Sequence, residues 1–127
     1  GSDGVIRGAI GGHPDTAQGA SLSVIVAPLT RGRIPTVVNH VGTVVTPGDT
    51  VDVLVTDQGI AVNPRRPDVR EKLQAAGLHV FSIEALQQKA QRLVGIPEPL
   101  RYKDKIVGVV MYRDNTILDV IRQIDEE

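Results

Sequence analysis

Apolar positions change period several times along the chain, and each change predicts an element. Val5-Ile6-Arg7 opens a short β-branched run, so Val5 to Ile10 predicts a strand that ends in a loop of small residues. Asp15 can then cap a brief helix or turn through Thr16-Ala17-Gln18-Gly19-Ala20. Leu22 to Leu29 is nearly continuous in apolar residues, as in a strand buried on both faces, and Pro28 marks its end. Further β-branched segments follow at Ile34-Pro35-Thr36-Val37-Val38 and Val41-Gly42-Thr43-Val44-Val45, before a turn at Thr46-Pro47-Gly48-Asp49. Val51 to Asp57 reads as a central strand, turned by Gln58-Gly59 into Ile60-Ala61-Val62-Asn63.

The period then lengthens. Pro67 suits a first helical turn, Val69, Leu73 and Ala76 recur at helical spacing, and Gly77 stands where a C-terminal cap belongs, predicting a helix over 67–76. After a short strand at Leu78-His79-Val80-Phe81, Ser82 can cap a second helix whose Ile83, Leu86, Ala90, Leu93 and Val94 share one face. Ile96-Pro97-Glu98-Pro99-Leu100 cannot continue it and reads as an extended connector. Ile106 to Tyr112 and Thr116 to Ile124 flank Arg113-Asp114-Asn115 as a closing hairpin, with Asn115 suited to positive φ. The expectation is an α/β protein: a mixed, largely β-branched sheet, two longer helices and a C-terminal β-hairpin, in one domain spanning 1–127.

Composition narrows the chemistry. Phe81, Tyr102 and Tyr112 are the only aromatics, so core volume comes from Val, Ile and Leu. Fourteen basic residues against fifteen acidic ones leave a net charge of -1, which gives no field to draw nucleic acid or an anionic membrane. The absence of cysteine excludes disulfides and thiolate chemistry. No apolar run approaches the roughly 20 residues that span a bilayer, and no signal peptide opens the chain, so a cytoplasmic location is expected.

His13, His40 and His79 form no paired ligand motif, so no metal site is expected. His79, between Leu78 and Val80, reads as the polar face of a strand. Gly19-Ala20-Ser21-Leu22-Ser23 lacks the second glycine of a nucleophile elbow. The loop Gly8-Ala9-Ile10-Gly11-Gly12 matches neither the Walker pattern nor the dinucleotide fingerprint. Asp57-Gln58-Gly59 as a bare pattern is a strand-ending turn, and Arg65-Arg66 at a helix start is a solvated face.

Residue by residue, Gly8-Ala9-Ile10-Gly11-Gly12-His13-Pro14-Asp15 resembles the GGxGG-plus-Gln-x-Asp segment of the family I coenzyme A transferases. The resemblance continues through Gly19-Ala20-Ser21, Ile34 to Val38, Val44 to Pro47, and Val51 to Ala61, where the family carries a similar DVDxVVTExGxA run. Ala9 replaces the family's second glycine, and His13 its usual Gln. Within that family, Gly11-Gly12-His13-Pro14-Asp15-Thr16, the run Arg31 to Val38 and Tyr112-Arg113-Asp114 are most similar to the citrate lyase alpha subunits, across essentially the whole chain.

This resemblance implies a coenzyme A transferase-like fold and the C-terminal portion of a longer subunit that exchanges acetyl for citryl on an acyl-carrier-protein thioester. It implies a CoA-like thioester as the group acted on, with no tightly bound cofactor. Its implied partners are the acyl carrier protein, the lyase subunits of a citrate lyase complex and the remainder of its own subunit. Gly8, Ala9, Gly11, Gly12, His13 and Asp15 occupy the cofactor-binding positions, with the backbone N–H groups of the glycine loop available to an oxyanion. The family's nucleophilic Glu lies upstream of that loop, outside this chain; Glu71, Glu84 and Glu98 match no family motif, so the isolated chain is expected to be inactive. The alternative is a stand-alone binding or assembly domain that keeps the fold without catalysis.

Overall fold

A computed structural model describes Gly1, residues 4–7 and residues 10–125. Its centre is a four-stranded mixed sheet built from β1 (Val24–Val26), β4 (Val53–Thr56), β5 (Gly59–Val62) and β6 (Val80–Phe81), in the order β1-β4-β5-β6. β1 runs parallel to β4, β5 antiparallel to β4, and β6 parallel to β5. Two small antiparallel pairs complete the strands, β2 (Thr30–Arg31) with β3 (Ile34–Pro35), and β7 (Tyr102–Met111) with β8 (Ile117–Ile124).

Side chains alternate across a strand, and each face of the sheet finds a different helix. Leu54 and Ala61 face α3 (Ile83–Val94), packing with Leu29, Leu86 and Ala90. Val53, Val55, Ile60 and Val62 face α2 (Pro67–Ala75), packing with Val69 and Leu73. This two-sided cover explains the apolar run after Val51, and β5-α2-β6 is the crossover that parallel pairing requires.

Both helix ends are written in the sequence. Ser82 caps α3 by accepting the N–H of Ala85 at 3.1 Å. α2 closes with a paired turn: the Gly77 N–H donates to the Gln74 carbonyl and the Leu78 N–H to the Leu73 carbonyl, with Gly77 at φ 80°. In the hairpin, Asn115 takes φ 66° and Asp114 accepts the Thr116 N–H and hydroxyl, as the Arg113-Asp114-Asn115 turn predicts.

Other expectations need correction. Leu22 to Leu29 contributes only three strand residues and is not buried on both faces, since Val24 is 44% and Val26 77% exposed. They align with Val53 and Val55 on the α2 face, but α2 packs on β5 and β6 and leaves this edge uncovered. The run 34–38 keeps just Ile34–Pro35: the Thr36 N–H still reaches the Leu29 carbonyl in register, but the Leu29 N–H goes to the Asp57 carboxylate instead of returning the bond to Thr36. Val41 to Val45 forms no strand: the Val44 N–H goes to the Asp119 carboxylate and the Thr43 hydroxyl to the Val120 carbonyl. Val5 to Arg7 is not extended into a strand either, and Gly8 and Ala9 lie outside the described residues.

Candidate functional site

The glycine loop leads directly into α1 (His13–Gly19), which begins earlier than expected. Asp15 does not cap it. Gly12 is the cap residue, at φ -89° and ψ 1°, because Pro14 near the helix start has its φ preset and no N–H to satisfy. Asp15 lies exposed in the first turn. Thr16 secures this entry, its N–H and hydroxyl both donating to the Gly12 carbonyl, at 2.9 and 3.0 Å.

Gly11 takes φ 64°, a left-handed conformation that favours glycine. A Cβ placed on Gly11 or Gly12 would meet no heavy atom within 4 Å. At Gly11 and Gly12 the side-chain direction therefore faces open space rather than packed protein. Of the remaining loop positions, Gly8 and Ala9 are outside the described residues.

His13 is half-buried beside this opening, and its Nδ1 lies 3.1 Å from the Thr46 hydroxyl. Thr46 precedes a tight turn at Gly48–Thr50, where the Thr50 N–H and hydroxyl both donate to the Pro47 carbonyl. Asn63, just past β5, donates to the carbonyls of Gly48 and Val51 at 3.0 and 2.9 Å, and its own Oδ1 accepts the Arg65 N–H. Sequence reading placed Thr46 in a turn and Asn63 at a strand end. It gave neither a part in the site, because the contacts that matter cross 33 residues from His13 to Thr46 and 15 from Gly48 to Asn63.

The other candidates are occupied elsewhere. Arg66 is not a solvated charge: its guanidinium is half-buried and binds Asp52 and Asp68 at 3.0 Å each, together with the Ser21 carbonyl at 3.1 Å. The hydrogen bond to Asp68, then that to Asp52, holds it still more firmly protonated than a free arginine. Asp52 also accepts the Ser23 N–H, so this cluster locks the start of β4 to the chain before β1.

Asp57 sits in the expected turn, where the Leu29 N–H at 2.7 Å, then the Gln58 amide, pull its carboxyl below the usual carboxylate range. Lys89 donates to the Gln58 carbonyl and lies 5.6 Å from the Phe81 ring centroid. His79 lies outside β6 and meets Phe81 edge-on at 4.4 Å, instead of forming the polar face of a strand. Glu71, Glu84 and Glu98 are exposed. Among the described residues no three His, Asp or Glu side chains gather as a metal site, and no helix is long and apolar enough to cross a membrane.

A mixed sheet covered by helices on both faces, with glycines leading into a short helix at its margin, defines an α/β protein segment. The particular kind follows from its relatives. A family model described as "Citrate lyase, alpha subunit (CitF)" matches residues 1–124, and the chain belongs to that family.

The chain is 58% identical over 126 residues to the citrate lyase alpha chain of Escherichia coli K12, covering 99% of this chain and 25% of that protein. It is 59% identical over 124 residues to the alpha chain of Klebsiella pneumoniae, covering 98% and 24%. A solved Streptococcus mutans structure, described as the alpha subunit of citrate lyase in complex with citrate, superposes with a TM-score of 0.93 at 53% identity, covering 99% of this chain and 25% of that one. The chain thus spans about a quarter of the length of the relatives it matches.

Proposed function

We propose that this segment contributes the glycine loop and His13 to an acyl-transfer site, in a subunit that exchanges acetyl for citryl on the thioester of an acyl carrier protein. The observation that carries this reading is the open space over Gly11 and Gly12 beside a half-buried histidine. Backbone without Cβ atoms lets a thioester carbonyl approach N–H donors closely, which is where the charge of acyl transfer develops.

A carboxylate oxygen attacks the thioester carbonyl, the C–S bond breaks, and an anhydride and a thiolate form. The thiolate then attacks the enzyme side of the anhydride, releasing the acyl group as a carboxylate and leaving an enzyme thioester. Each attack creates an oxyanion, and the loop stabilises it. The attacking glutamate comes from the part of the subunit beyond this segment, and Glu71, Glu84 and Glu98 stay in solvent.

The test is acyl exchange from an acetyl thioester to citrate, measured for the full subunit and for the 127-residue segment alone. Turnover by the full subunit only is expected. Turnover by the segment alone would overturn the placement of the nucleophile, and a full subunit without exchange activity would favour an assembly role.

A further inference from the structure

We infer that Thr46 is a positioning residue for this site: its hydroxyl donates to Nδ1 of His13 and holds the imidazole with its proton on Nε2, as a donor beside Gly11 and Gly12. The inference rests on the acyl-transfer role proposed for the loop and adds how its histidine is set.

The direction of the hydrogen bond follows from what surrounds each atom. Thr16, Thr36, Thr43, Thr50 and Thr56 each give their hydroxyl proton to a backbone carbonyl. Among the described residues Thr46 has no carbonyl partner, and the acceptor in reach of its hydroxyl is His13 Nδ1 at 3.1 Å. Donating there satisfies a half-buried O–H that would otherwise lose a hydrogen bond. A neutral imidazole carries one donor and one acceptor, so Nδ1 as acceptor puts the proton on Nε2. Among the described residues, Nε2 has no hydrogen-bond partner, which leaves it free for a ligand at the open loop.

Thr46 is itself held from both sides. Upstream, Thr43 and Val44 bond to Val120 and Asp119 of the hairpin. Downstream, Asn63 pins Gly48 and Val51. A hydroxyl fixed this way presets the imidazole before a substrate arrives, and preset donors stabilise an oxyanion without reorganising during the reaction.

The experiment uses the full subunit labelled with [15N]histidine, the His13 signals being assigned by their loss in His13→Gln. The wild type is expected to show His13 protonated on Nε2. Thr46→Val should give mixed tautomers and lower kcat by about tenfold, the rate equivalent of one hydrogen bond. Its KM for the acetyl thioester should stay unchanged, and Thr46→Ser should restore both tautomer and kcat. A wild-type proton on Nδ1, or an unaltered tautomer in Thr46→Val, would overturn the positioning role alone. Mixed tautomers with unaltered turnover would overturn the acyl-transfer reading of the loop, and the positioning role with it.

Discussion

Asp119 in the last strand accepts the N–H of Val44, 75 residues earlier in the chain, at 2.7 Å. That bond fastens the stretch leading to Thr46 onto the C-terminal hairpin. The Thr43 hydroxyl adds a second tie to the Val120 carbonyl at 3.1 Å. An irregular segment keeps its place because side chains replace the ladder that a strand would have supplied.

Stability should therefore respond to acid through Asp119. The Val44 N–H, then that of Val120, holds its carboxyl below the usual carboxylate range. A lowered folded-state pKa stabilises the fold above the unfolded value of about 3.9, and that contribution disappears as pH falls through the folded value. Urea midpoints at neutral pH and near pH 3 should thus differ less in Asp119→Asn than in the wild type. Some difference will remain, because Asp57, Asp68 and Asp114 are shifted the same way. An equal difference in both proteins would dismiss the tie.

Leu86 has no exposed surface and fills the gap between α3 and the sheet against Leu29 and Ala61. Leu86→Ala removes its buried methyl groups and leaves a cavity, so a loss of about 2–5 kcal/mol is expected by chemical denaturation. Ile83→Ala at the start of the same helix should cost well under half as much, because Ile83 is 40% exposed. Similar losses at both positions would contradict the packing described.

Tyr112 poses the opposite case. Its hydroxyl is buried with no hydrogen-bond partner among the described residues. Removing an unpaired polar atom relieves its desolvation, so Tyr112→Phe should be neutral or stabilise by about 1 kcal/mol in thermal unfolding. A clear loss of stability would show that the hydroxyl has a partner.

The sequence was most legible where an element carries its own punctuation. Ser82 before α3, Pro67 and Gly77 around α2, and Asn115 in the hairpin turn all act within a few residues, and the structure has each in its expected place. Apolar patterning was less informative. Val24 and Val26 have the composition of buried strand residues yet stand at an uncovered sheet edge, and hydropathy does not say how far a helix reaches.

At the site, the glycines were visible as a motif, but the Thr46 contact to His13 and the Asn63 grip on its turn were not. Such pairings depend on how β5 and the turn after Pro47 meet in space. Asp15 looked like a cap because its type suits one, and the nearby Pro14 moved the helix start ahead of it.

The central claim is that the open glycine loop works in acyl transfer, and Gly12 tests it most directly. Its φ of -89° is accessible to other residues, and a Cβ there meets no heavy atom within 4 Å, so a side chain can be added with little damage to the fold. In the full subunit, Gly12→Val should lower exchange between an acetyl thioester and citrate on the order of 100-fold by occupying the space a thioester carbonyl needs. Its melting temperature should fall by no more than about 4 °C. Unchanged turnover in a folded Gly12→Val subunit would contradict the account and return the loop to a structural turn.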